Sequence, residues 1–245
     1  MTVLDGIRQK VSKETRVLYA KGCAVRDSSR TGFKDAIETA RNADAVVMVM
    51  GGSSARDFSS EYEETGAAKV TINQISDMES GEGYDRATLH LMGRQLELLE
   101  EISRLGKPVV LVLIKGRPLL MEGAIQEAEA IVDAWYPGMQ GGNAVADVLF
   151  GDYNPAGRLT LSVPRSVGQL PVYYNTRRKG NRSRYIEEPG TPRYPFGYGL
   201  SYTTFSYTDM KVQVTEGSDD CRVDVTVTIQ NQGTADGDEV AQLYF

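Results

Sequence analysis

Nine residues, Met78 to Arg86, concentrate the acid–base potential of this chain. They hold two glutamates, an adjacent Asp85–Arg86 pair, and glycines on both sides of Glu82. Neither a helix nor a strand gains from Gly-Glu-Gly, because glycine loses more conformational entropy than any other residue on folding. The pattern suits a loop that must hold a carboxyl group in one place. It also suits a solvated acidic turn, and both readings stand on spacing alone.

The elements around this stretch decide what it is attached to. Ala45 to Met50 is a continuous apolar run, as expected of a parallel strand buried on both faces. Gly51-Gly52-Ser53-Ser54 follows at its carboxyl end, where ligands tend to sit in open α/β sheets. A phosphate cradle is one reading of that turn. However, it leads into a long acidic segment and lacks the lysine of a P-loop, which weakens a nucleotide-binding role. Ala55 to Arg86 is rich in Ser, Glu, Asp and Gly with little periodicity, and long segments of this kind inside a domain are usually functional or disordered. The carboxylate cluster ends it.

Before that segment, Arg16–Tyr19 is a strand candidate. Thr31 is a candidate cap for a helix whose Phe33, Ala36, Ile37 and Ala40 fall at helical spacing. After it, Gly93–Leu105 predicts an amphipathic helix, Val109–Ile114 a second apolar strand, Leu119–Ala128 a weaker helix and Ala130–Trp135 a third strand. The Pro137–Gly142 loop then precedes a helix over Ala144–Phe150, and Arg158–Val163 is a candidate closing strand. Alternating strands and helices predict an α/β fold: a mostly parallel sheet covered by helices on both faces.

The pattern changes from Pro164 onward. Residues 164–204 hold many Pro, Arg, Tyr and Asn residues without periodicity and read as an irregular wrapping linker. Beyond Phe205 the period becomes two: Val223, Val225, Val227 and Ile229 alternate with polar residues, as in a half-buried strand of a β-sandwich. Glu239–Phe245 reads as a further strand. Three strands cannot close a sandwich core, which needs about seven. The expected organisation is therefore an α/β domain over 1–163, a linker over 164–204, and a truncated β-sandwich over 205–245.

Composition narrows the partners. Charged residues make up 24% of the 245, and the net charge of −6 disfavours a nucleic-acid or anionic-membrane surface. No apolar run approaches the length of a membrane span. Cys23 and Cys221 lie far apart with neither metal-like nor redox-like spacing, and are expected as two buried thiols or one long-range bridge. No cofactor and no metal are expected. Asn181-Arg182-Ser183 fits a glycosylation sequon, a common pattern. Trp135, the sole tryptophan, is a candidate for stacking on a ligand, although a packing role suits its place at a strand end better.

Several long motifs, in order, resemble glycoside hydrolase family 3, of the β-glucosidase and β-xylosidase branch. Leu4-Asp5-Gly6-Ile7 is similar to the lead-in of the family's second domain. Glu82-Gly83-Tyr84-Asp85-Arg86 is similar to the stretch carrying its general acid/base. Trp135-Tyr136-Pro137-Gly138, the run from Ala146 to Leu159, and the run from Tyr194 to Thr203 resemble later landmarks, the last being the passage into a fibronectin type III-like domain. Asp238–Tyr244 resembles a strand inside that domain.

The resemblance implies a retaining exo-β-glycosidase acting on terminal β-D-glucosyl residues of an oligosaccharide or β-glycoside substrate. Such enzymes use two carboxyl groups about 5 Å apart. By the family match Glu82 is the general acid/base. Glu79 is the runner-up, with an exposed loop carboxylate as its alternative. Asp85 and Arg86 are expected to position the loop by a charge-assisted pair. His90, the sole histidine, is expected to be structural. The family's nucleophile is an aspartate on an N-terminal barrel domain that this sequence lacks, so the chain is expected to be an internal fragment, inactive alone, whose barrel lies in the same or a partner chain. A periplasmic or secreted location fits the family. The alternatives are a β-D-xylosidase of the same family, or a non-catalytic carbohydrate-binding or assembly module.

Overall fold

Three parallel strands form the frame that carries the Met78–Arg86 stretch. The computed structural model describes residues 1–54, 63–67, 69, 77–81, 85–175, 185–217 and 221–244. Strand β1 (Val46–Gly51) pairs with β2 (Val109–Ile114), and β2 with β3 (Ala130–Asp133), in spatial order β1-β2-β3. The helices of this part are α1 (Val3–Lys10), α2 (Phe33–Arg41), α3 (Gln95–Ser103), α4 (Glu122–Glu127) and α5 (Gly141–Leu149).

Helices cover both faces of the sheet. On one face Met48, Met50, Leu111 and Leu113 pack against Phe33, Ala36 and Ala40 of α2, and against Leu98, Leu99 and Ile102 of α3. On the other, Val112 meets Val3 of α1 and Val145 of α5, with Ile7, Val132 and Leu149 alongside. Leu99, Leu111 and Val112 are wholly excluded from solvent, each contributing about 1.5–3 kcal/mol relative to exposure. β1 departs from the expectation of burial on both faces: Val47 and Val49 are 37% and 49% exposed. It is an edge strand, and α1 and α5 lie over β2 and β3.

Helix α1, not anticipated from periodicity, is fixed locally. The Thr2 hydroxyl accepts from the Asp5 N–H while the Asp5 carboxylate accepts from the Thr2 N–H, a reciprocal cap. Its Gly6 lies directly on α5, where a Cβ would overlap the Gly142 carbonyl. Two other local expectations fail. Arg16–Tyr19 forms no strand. Gly32, not Thr31, occupies the cap of α2, because the Thr31 hydroxyl bonds Ser29 Oγ instead. Arg158–Val163 is not a strand either. It meets 194–198 through separate bonds, Leu159 N–H to the Tyr198 carbonyl at 2.8 Å and Val163 N–H to the Tyr194 carbonyl at 2.8 Å.

Asn154 explains why two distant motifs belong together. Its Oδ1 accepts from Ser201 Oγ at 2.8 Å and from Tyr202 N–H at 2.7 Å, and its Nδ2 donates to the Asp236 carbonyl at 2.9 Å. Beyond it, β4 (Phe205–Glu216) and β5 (Cys221–Asn231) form a separate antiparallel pair, a partial β-sandwich. The register shifts between Thr208 and Lys211, where Asp209 takes φ 54°. The expected half-buried face is mostly open: Val225 and Val227 are partly covered, Val223 and Ile229 exposed. No second sheet packs on the pair among the described residues. Residues 239–244 form no strand; an Arg158–Glu239 ion pair at 2.7 Å ties them back. Both cysteines are free, Cys23 half-buried and Cys221 exposed, so neither expected arrangement of them holds.

Candidate active site

Met78–Gly81 and Arg86 sit at the carboxyl ends of β1, β2 and β3. Past Gly51 the chain continues beside β2 through a bond from Gly52 N–H to the Ile114 carbonyl at 2.9 Å. Ser53 then bridges Met78 in parallel, and Glu79 N–H donates to the Ser53 carbonyl at 2.8 Å. At the last residue of β1 the outer edge is capped by one side chain. Buried Gln95, from the first turn of α3, accepts from Gly51 N–H at 2.8 Å and returns a bond to the Gly51 carbonyl at 2.9 Å. A primary amide can satisfy both backbone groups at once, so Gln95 pairs the outward backbone of the last residue of β1.

Glu79 is the centre of the site's electrostatics. Its side chain is fully buried, and Oε2 accepts from Arg86 Nη1 at 2.6 Å, with Arg86 itself only 6% exposed. Arg117, from the turn after β2, brings its Nε to 3.8 Å of the same oxygen. Arg86 also donates through Nη2 to the His90 carbonyl. A buried carboxylate in this position needs its cation, since removal of one partner of a buried pair costs about 3–5 kcal/mol. Gly52 makes room for it: a Cβ on Gly52 would overlap the Glu79 carboxylate. The place where an anion would have been cradled by the Gly51–Ser54 turn is thus filled by the protein's own carboxylate.

β2 and β3 add a second support. Lys115, 1% exposed, pairs with Asp133 at 2.8 Å and places Nζ 3.8 Å from the centre of the Trp135 ring. Burial pushes the Lys115 ammonium down from its ordinary value, while Asp133 opposes that shift. Trp135 takes φ 52°, in the left-handed region that a bulky residue rarely enters. Its carbonyl accepts from Lys115 N–H at 3.2 Å. The next residue, Tyr136, lies across Gly116 and brings its hydroxyl to 3.3 Å of Ser80 Oγ. Trp135 therefore packs under a buried cation, and Tyr136 is the aromatic that meets the stretch.

Each sequence candidate can now be located. Glu82, with Gly83 and Tyr84, lies outside the described residues, as does the Asn181–Ser183 sequon. Glu79 and Arg86 come together. Asp85 is exposed and has no bond to Arg86 among the described residues. Arg86 reaches inward to Glu79 while Asp85 faces solvent. His90 contributes only its carbonyl here. Gln95, Arg117, Lys115 and Tyr136 were not anticipated. A lysine and an arginine flanking Gly116 directly after an apolar strand were the available signal for two of them.

Comparison with known proteins bears on this arrangement. Residues 1–202 match the glycosyl hydrolase family 3 C-terminal domain. A β-xylosidase of Formosa agariphila is 42% identical over 247 aligned positions, covering 100% of this chain and 31% of its own. A periplasmic β-glucosidase of Salmonella typhimurium is 37% identical over 274, covering 100% and 33%. Among solved structures, a β-glucosidase from Erythrobacter marinus aligns with TM-score 0.77 at 36% identity, over 94% of this chain and 32% of its own. A Listeria innocua β-glucosidase in complex with isofagomine aligns with TM-score 0.72 at 30% identity, over 94% and 30%. The chain spans about a third of the length of these relatives.

Proposed function

The chain belongs to glycosyl hydrolase family 3, and from that premise we propose that it supplies the general acid/base of a retaining exo-β-glycosidase acting on terminal β-D-glucosyl residues. Glu82 is the acid/base: it protonates the departing glycosidic oxygen, then deprotonates the water that attacks the glycosyl intermediate. The nucleophilic carboxylate comes from a barrel domain outside these 245 residues, so the chain alone has no turnover.

The observation that supports this reading most is the buried Glu79–Arg86 pair. It draws together residues 79 and 86, which bound the Gly-Glu-Gly segment, at the carboxyl ends of the parallel strands. Ligand sites of open α/β sheets favour that edge. A β-D-xylosyl preference is the second reading, favoured by the 42% identity to a relative named as a β-xylosidase.

The test is a chimera in which this chain replaces the matched third of the Formosa agariphila relative. It is assayed on 4-nitrophenyl β-D-glucoside and β-D-xyloside, with this chain alone as a control. A rise in glucoside over xyloside turnover relative to the parent β-xylosidase would show that this chain contributes to the choice of sugar. Glu82→Gln should cut kcat/KM on alkyl glycosides by about 10²–10⁴-fold, the usual worth of a positioned acid, and largely spare 2,4-dinitrophenyl glycosides. A folded chimera without turnover, equal loss on every leaving group, or activity of this chain alone would overturn the proposal.

A further inference from the structure

Glu79 is the best-buried carboxylate of the site, and burial removes it from the chemistry first considered for it. A group with no exposed side-chain surface and an arginine at 2.6 Å is poorly placed to exchange protons with substrate and water. Its geometry suits another task. Glu79 is tied to β1 through the bond from its N–H to the Ser53 carbonyl, and to the turn after β2 through Arg117. Through Oε2 it holds Arg86, seven residues on, whose other nitrogen holds the His90 carbonyl. We propose that Glu79 is a positioning residue: with Arg86 it forms a buried clamp across the base of the 80–85 segment and sets the reach of the acid/base carried there. The inference rests on Glu82 being that acid/base.

Three observations set this pair apart from an ordinary surface bridge. Both side chains are almost wholly excluded from water, 0% for Glu79 and 6% for Arg86, so neither solvent nor salt competes for them as at a surface. The two partners stand on opposite ends of one short segment, so the bond closes a loop instead of decorating an element. Gly52 is kept free of a Cβ at the one position where it would collide with the carboxylate. Ser80 adds a lateral stay by its 3.3 Å contact with Tyr136. A clamp of this sort fixes where a carboxyl group can go while leaving its chemistry to its own surroundings, and small displacements of a catalytic group are costly.

The test uses the same chimera with Glu79→Gln, Arg86→Lys and, for reference, Glu82→Gln. Readouts are circular dichroism, and kcat and KM on an alkyl and a 2,4-dinitrophenyl glycoside. A loosened clamp should cost kcat/KM on the alkyl glycoside about 30-fold, a part of what a positioned acid contributes, and under about threefold on the dinitrophenyl one. On the activated substrate kcat and KM should fall together, because the base-assisted second step slows and the intermediate accumulates. A merely structural role predicts equal loss on both substrates, or none. If Glu79→Gln does not fold, Arg86→Lys carries the same expectation; if neither folds, the pair is structural and the proposal fails. Should Glu82→Gln itself show no dependence on leaving group, the acid/base assignment is what has failed. If Glu82→Gln shows that dependence and the clamp variants do not, the clamp is refuted alone.

Discussion

Gly52 and Glu79 are complementary: the glycine presents a bare backbone at the point where the glutamate's Oε1 lies, and a single added carbon would overlap it. The glycine is required here by space, since Gly52 does not take a positive φ. The contact links the end of β1 to the buried ion pair that bounds the 80–85 segment. Strand, turn and carboxylate therefore act as one packed unit.

Gly52→Ala should destabilise the fold by about 1–3 kcal/mol, the usual cost of overpacking a filled site. Because the added methyl acts by displacing the Glu79 carboxylate, its effect should shrink once that carboxylate is gone. In guanidinium unfolding, Gly52→Ala combined with Glu79→Ala should therefore cost at least ~0.5 kcal/mol less than the sum of the two single changes. Strict additivity would mean that the methyl meets something other than Glu79.

The seam between α1 and α5 gives a second contrast. A Cβ on Gly142 would overlap the Thr2 carbonyl, whereas one on Gly123 in α4 would meet only the end of the Leu96 side chain, 2.7 Å away. Alanine's helix propensity exceeds that of glycine by at most about 1 kcal/mol at these first-turn positions. At Gly142 the rigid backbone contact outweighs that gain, and Gly142→Ala should lower stability by about 1–3 kcal/mol. At Gly123 the flexible leucine can turn aside, so Gly123→Ala should lie within about 0.5 kcal/mol of neutral or above it. Midpoints of guanidinium unfolding separate the two, and equal shifts would show that the α1–α5 seam yields.

The legible parts of this chain were those marked by an apolar run or a helical period between turn residues. β2 was expected over Val109–Ile114 and is observed over those residues, because its apolar run is bounded by Gly106-Lys107-Pro108 and by Lys115-Gly116. The amphipathic α3 and the three-strand alternation were readable for the same reason. Helix α1 was not: its centre is Gly6, and only the cap formed by Thr2 and Asp5 marks its start. Arg158–Val163 has strand-like composition, yet its partners at 194–198 meet it bond by bond without forming a ladder. At the site, the charged residues were visible but their pairing was not. Arg86 had Asp85 beside it in sequence and Glu79 beside it in space, and only the fold brings the second within 2.6 Å. Gln95 closing the edge of β1 depends on how α3 packs, which no short window records.

Lys115 offers a prediction in which pH carries the argument. Its ammonium is buried, paired with Asp133 and seated over Trp135, and desolvation lowers its pKa from the ordinary 10.5. Between the folded and unfolded values the unfolded chain binds more protons than the folded chain at this group. Stability therefore rises with pH across that window, and the gain is complete above about 10.5. Lys115→Met keeps the stem against Trp135 but removes both the titration and the partner of Asp133. Because Asp133 is still 24% exposed, water can reach it, and the cost near neutral pH should be about 2–3 kcal/mol, at or below the low end for broken buried pairs. Unfolding by guanidinium at pH 9, 10 and 11 should then show the gap between the natural chain and Lys115→Met widening as pH rises toward about 10.5. Parallel pH profiles would mean that Lys115 titrates alike in both states, and that its burial over Trp135 does not persist in solution.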